Sequence, residues 1–136
     1  MKAYIAASFF LLVAFISGCT TKEYYEVVPS MTIIYQKTAS QWMENSTYDV
    51  YTDLAIPELT KYYVEQGIVT VALSFDNENS YNGLPATIDG VSYSFDYRTG
   101  NIRIYAQDPI MEEGIEVFIP ERIHLKVSLT EANYVE

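Results

Sequence analysis

The 136-residue chain holds a single histidine, a single cysteine and a single tryptophan, against 18 aspartates and glutamates. A nucleophilic triad needs a base, so chemistry of that kind would have to centre on His124. That residue lies between Ile123 and Leu125 in an alternating stretch and shares a face with Lys126 and Ser128. A solvated strand histidine accounts for this pattern, and there is no G-x-S-x-G elbow to supply a nucleophile. Carboxylate pairs are plentiful: Asp49 with Asp53, Asp76 with Glu78, Glu112 with Glu113. Glycosidases use two carboxylates about 5–9.5 Å apart. On a strand Asp49 and Asp53 share a face but stand more than ~13 Å apart, too far for a dyad. The segment from Asp76 to Gly83 is the richest in hard oxygens, and calcium takes six to eight of them. It misses the EF-hand pattern because Tyr81 stands at the sixth position, where glycine is needed. A solvated loop explains its Asp, Asn, Ser and Gly equally well. No catalytic residue, metal site or cofactor is expected.

Aromatic side chains are the remaining resource for binding. Thirteen tyrosines are present, and tyrosine suits strands, protein interfaces and sugar-stacking platforms alike. Tyr51 alternates out of phase with Val50 and Leu54, and Tyr105 out of phase with Ile102 and Ile104. Both are therefore expected on an outer face. With Trp42 they are the candidate ligand-binding residues, for a protein or a glycan. The plainer alternative is routine tyrosine on the wet side of a sheet.

The amino terminus carries the strongest signal. Lys2 supplies a positive start, and Ala3 to Ile16 is apolar except for Ser8. As a helix that run would reach about 21 Å, short of the ~30 Å hydrocarbon core, so it reads as a signal-peptide core instead of a membrane span. Ile16-Ser17-Gly18-Cys19 follows, and it resembles the bacterial lipobox. The resemblance implies cleavage between Gly18 and Cys19 and lipidation of Cys19, which several acyl chains would make an essentially permanent anchor. Removing residues 1–18 removes Lys2, leaving 7 basic and 18 acidic side chains, net −11. That balance argues against nucleic acid, whose binders need a basic footprint, and against attraction to anionic lipid. Thr20 after the cysteine, by resemblance to sorting rules of Gram-negative bacteria, favours the outer membrane. Thr20-Thr21-Lys22-Glu23 is polar enough for a short tether, so residues 19–29 are read as lipidated cysteine and tether, and 30–136 as one domain.

The elements that would position these residues are mostly strands. Val91 to Tyr97 alternates strictly, between turn signals at Asp89-Gly90 and Thr99-Gly100. A two-residue loop at Thr99-Gly100 pairs Arg98 with Asn101, Phe95 with Ile104 and Asp96 with Arg103, which predicts an exposed Asp96–Arg103 ion pair. Val69 to Phe75 and Ile123 to Leu129 alternate in the same way. Met31 to Gln36, Tyr48 to Leu54 and Ile115 to Ile119 are further expected strands. One helix is expected from Ile56 to Gly67, with Pro57 at its first position, Gly67 at its end, and Leu59 and Tyr63 on its buried face. Many antiparallel strands and one helix predict a mainly β fold: a β-sandwich of immunoglobulin-like kind, or alternatively a small β-barrel.

The order of features resembles small lipoproteins of unknown function common in Bacteroidetes-type genomes. The lipobox is followed by the aromatic stretch Trp42 to Asp53, Ile56-Pro57-Glu58-Leu59-Thr60 leading to Gly67-Ile68-Val69-Thr70-Val71, a strand from Leu84 to Phe95, the stretch Asn101 to Asp108, and a terminal strand Ile123 to Leu129. The resemblance implies localisation and fold and carries no activity. The expectation is a lipid-anchored, non-enzymatic structural or interaction module of the cell envelope, with a glycan-binding accessory lipoprotein as the alternative.

Overall fold

A computed structural model describes residues 29–112 and 114–132. The signal segment 1–18, the Gly18–Cys19 cleavage site, the lipidation site Cys19 and all of the tether but Pro29 lie outside the described residues. Among the described residues there are nine strands, β1 (Met31–Thr38), β2 (Met43–Glu44), β3 (Asp49–Ala55), β4 (Ile68–Ser74), β5 (Asn82–Gly83), β6 (Ala86–Ile88), β7 (Val91–Arg98), β8 (Asn101–Gln107) and β9 (Arg122–Thr130). One short helix, α1 (Lys61–Glu65), precedes β4.

The strands form two antiparallel sheets, β1-β9-β4-β5 and β2-β3-β8-β7-β6, so the fold is a β-sandwich and the sheets do not close into a barrel. The sandwich pairs its first strand with its last, whereas the immunoglobulin arrangement sets its first strand beside its second. Period-two alternation supplies the core. Ile123, Leu125, Val127 and Leu129 of β9 point inward with Val69, Val71 and Leu73 of β4, and meet Leu54 of β3 and Ile102, Ile104 and Ala106 of β8. Burying each Leu, Ile or Val contributes roughly 1.5–3 kcal/mol, and this shared layer holds the sheets together.

The β7–β8 hairpin adopts the register expected from its turn: Arg98 opposite Asn101, Phe95 opposite Ile104, Asp96 opposite Arg103. Gly100 takes φ 79°, in the left-handed region that favours glycine. The Asp96–Arg103 ion pair is not formed. Arg103 lies between two carboxylates, because Asp53 of β3 is its register partner on the other side, and its guanidinium turns there instead.

Two expected elements differ. The helix occupies Lys61–Glu65, with Thr60 at its N-cap, and Pro57 lies in a turn before it. Leu59 O, which would accept from Tyr63 N–H in a longer helix, accepts from Gly100 N–H at 2.8 Å, and Ile56 N–H ties the same turn by donating to Gly100 O at 2.9 Å. Leu59 and Tyr63 are buried as expected. Gly67 is required by close approach, since a Cβ there would stand 2.8 Å from Thr130 O and 2.9 Å from Tyr63 Cα. The expected strand Ile115 to Ile119 belongs to neither sheet. Its alternation is real, with Val117 and Ile119 half-buried against the core and Glu116 and Phe118 exposed, but no neighbouring strand lies alongside to complete a ladder.

The registers define two ends. Met31, Thr130, Ala55 to Ile68 and the Gly100 turn gather at the end where the described chain begins. Thr38 to Asp49, Ser74 to Asn82 and the connection from Asp108 to Arg122 gather at the far end.

Candidate functional site

The outer face of the five-stranded sheet is built by residues that alternate with the core. In β3 these are Tyr51 and Asp53, in β8 Arg103 and Tyr105, in β7 Ser94 and Asp96. Antiparallel pairing turns them into cross-strand rows. One row reads Met43, Tyr51, Tyr105, Ser94 and the next Asp53, Arg103, Asp96. Tyr51 and Tyr105, expected separately to face outward, are thus direct register partners, with Met43 beside them at 46% exposure.

Polar bonds fix the geometry of this face. Arg103 donates through Nε to Asp53 Oδ1 at 2.8 Å and through Nη2 to Asp53 Oδ2 at 2.9 Å, a forked pair. Its guanidinium carbon sits 4.1 Å from the centre of the Tyr51 ring, a cation–π contact. The Tyr105 hydroxyl donates to Asp96 Oδ2 at 2.7 Å. These contacts shift the titrations in the expected directions. The Arg103 hydrogen bonds hold the Asp53 carboxyl below the usual carboxylate range, the Asp53 carboxylate raises Arg103, and the bond to Asp96 raises Tyr105. The face therefore presents two aromatic rings, a bridging guanidinium and two carboxylates in fixed positions. It can offer ring surface and polar edges to a ligand. The role of Asp53 escapes sequence reading because it depends on β3 lying beside β8. Its phase with Tyr51 was the available signal.

Trp42 does not join this face. It immediately precedes β2, and alternation that sends Met43 outward beside Tyr51 turns Trp42 inward. There its ring meets Tyr93 edge-on at 6.5 Å, and its Nε1 is buried with no acceptor among the described residues. It lines the wall of a groove at the far end of the sandwich.

The other candidate chemistry resolves into structure. His124 makes no side-chain hydrogen bond to another described residue, and it is flanked in register by Gln36 and Ser74. Ser74 is fully buried and its hydroxyl donates to Asp76 at 2.8 Å, so serine and histidine are not joined in a relay. Asp76 organises the acidic loop: Oδ1 accepts from Ser74 and from Ser80 N–H at 3.0 Å, and Oδ2 accepts from the Ser80 hydroxyl at 2.6 Å. The Ser80 bonds, with that from Ser74, draw its pKa down to about 2. A cation would have to displace these donors, and among the described residues no three His, Cys, Asp or Glu side chains gather to hold a metal. Asp49 accepts from Asn45 Nδ2 at 2.6 Å and from the Ser46 hydroxyl, so it closes the β2–β3 turn and has no catalytic partner in Asp53. The Glu112 backbone N–H donates to Asp108 Oδ2 at 3.1 Å, so Asp108 caps that turn, and Glu113 lies outside the described residues. No protein-family model, no curated protein and no solved structure matches this chain.

Proposed function

We propose that the protein is a lipid-anchored lipoprotein of the bacterial cell envelope, held at the outer membrane through Cys19. Its β-sandwich serves as a non-enzymatic interaction module, with the outer face of the five-stranded sheet as its binding surface. The observation that carries this reading is the Tyr51–Tyr105 pair, set side by side on an open face and braced by Arg103, Asp53 and Asp96. Such braced aromatics lose little freedom on binding, which favours a recognition surface. The anchor rests on the apolar run and the Ile16-Ser17-Gly18-Cys19 motif.

The same tyrosines favour a glycan-binding accessory lipoprotein as the second reading, since sugars stack on rings and bridge to neighbouring carboxylates. One comparison separates the two. The full chain and a Tyr51→Ala/Tyr105→Ala variant are tested by calorimetry against a polysaccharide panel and by cross-linking to purified envelope proteins. Protein cross-links lost in the variant support the first reading, and saturable polysaccharide heats lost in it support the second. Identical behaviour of both forms removes the open face from either. Turnover of ester, peptide or glycoside substrates that vanished in His124→Ala would overturn the non-enzymatic assignment. A Cys19→Ala variant is expected to lose fatty-acid labelling and to partition as soluble protein. Unchanged membrane association would refute the lipid anchor.

A further inference from the structure

The far end of the sandwich holds a second surface of different character. Between β2–β3 and the connection that follows Gly114 runs a groove, seen as two cavities of about 540 and 650 Å³ that share Glu44, Val50, Glu116 and Val117 in their walls. One wall is apolar, formed by Trp42, Val50, Val117 and Ile119, and Phe118 stands over it at 77% exposure. The rim is acidic. Glu44 and Glu116 are both exposed and neither is in a salt bridge with a described residue.

Two sets of hydrogen-bonding groups here have no partner. The Trp42 Nε1–H is buried without an acceptor, an arrangement that is costly unless something supplies one. The backbone from Glu116 to Pro120 alternates inward and outward as a strand does. Among the described residues, however, its amides and carbonyls make no backbone hydrogen bonds. An extended segment with free backbone groups beside an apolar groove is the setting for strand addition, in which the incoming main chain completes the ladder and alternate side chains fill the groove.

We propose that this groove takes an extended segment of a partner protein in which lysine or arginine alternates with aliphatic residues. The backbone of the segment pairs with residues 116–120. Its aliphatic side chains lie on Val50, Val117 and Ile119 near the Trp42 ring, and on its other face its cations meet Glu44 and Glu116 while their apolar stems lie on Phe118. The commitment to a basic segment rests on charge complementarity, since the rim carboxylates have no cation of their own. The site is separate from the open face of Tyr51 and Tyr105 and does not depend on that assignment.

Trp42 is the only tryptophan in the chain, so its emission reports on this groove directly. The full chain is titrated with a synthetic heptapeptide alternating lysine and isoleucine, and with its glutamate–isoleucine counterpart. The expected result is a saturable change in Trp42 emission with the basic peptide only, weakened by added sodium chloride. A Glu44→Lys/Glu116→Lys variant is expected to bind about tenfold more weakly or worse, and Phe118→Ser to lose affinity, while Tyr51→Ala/Tyr105→Ala binds as the parent does. Far-UV circular dichroism checks that each variant is folded. No saturable change, equal binding of the acidic peptide, or indifference to charge reversal would overturn the proposal. A concentration-dependent dimer dispersed by Phe118→Ser would overturn it too, by assigning the groove to a second copy of the chain.

Discussion

The two ends of the sandwich are finished in opposite ways. Where the described chain begins, the connections are packed down and their polar groups are used: Ile56, Leu59 and Tyr63 are buried, the Gly100 turn is bonded to Ile56 and Leu59, and the Tyr62 hydroxyl donates to Ala132 O at 3.1 Å. At the far end a long connection crosses from β8 to β9 outside both ladders. It leaves Ile110 at 78% and Met111 at 56% exposure, and Phe118 at 77% beside a groove whose wall includes Trp42, with its unpartnered indole N–H. Both ends join strands of the same two sheets, so the contrast is not imposed by topology. A closed end contributes stability, and an open end leaves surface free for contact, on the side away from the proposed tether.

Substitutions can break or sharpen that contrast. The largest effect is expected at Leu59, which is fully buried: Leu59→Ala should lower unfolding free energy by about 2–5 kcal/mol in urea titration. Gly67→Ala comes next, at roughly 1–3 kcal/mol, because its Cβ would meet main-chain atoms that cannot swing aside. On the open face between the ends, Asp53→Asn should cost about 1 kcal/mol or less at neutral pH, as its pair with Arg103 is partly solvated. The folded-state pKa of Asp53 is lowered, so its contribution is present above the ordinary carboxylate value. It fades as pH falls through the depressed one, and the stabilities of parent and variant should converge on acidification. Smallest of all, Phe118→Ser should change stability by no more than about 0.5 kcal/mol. A Phe118 loss as large as that at Leu59 would mean the far end is packed like the near one, and the contrast would fail.

How far the sequence could be read depended on how local each feature is. The register of the β7–β8 hairpin was legible to the residue because turn chemistry and alternation agreed between Val91 and Ile104. The outward aim of Tyr51 and Tyr105 followed from phase alone. Their adjacency did not, because it rests on β3 pairing with β8 some fifty residues away, and that same pairing diverted Arg103 from Asp96 to Asp53. Trp42 borders a strand of two residues, too short for a phase to be read, so its inward turn was not legible. At Ile115 to Ile119 the alternation turns Val117 and Ile119 toward the core and leaves Ile115 exposed. Periodicity carries no information about whether a neighbour is present to accept the backbone, and there the expected strand failed.

The pairing of first strand with last has a consequence for the order of events during synthesis. β1 and β4 do not touch each other as neighbours; β9 lies between them and bonds to both. Until Arg122 to Thr130 becomes available, the four-stranded sheet has no centre and Met31 to Thr38 has nothing to pair with. Contacts this distant in sequence form slowly. Half of the core therefore cannot assemble before β9 has been made, and the partly synthesised chain stays unfolded in that sheet until then.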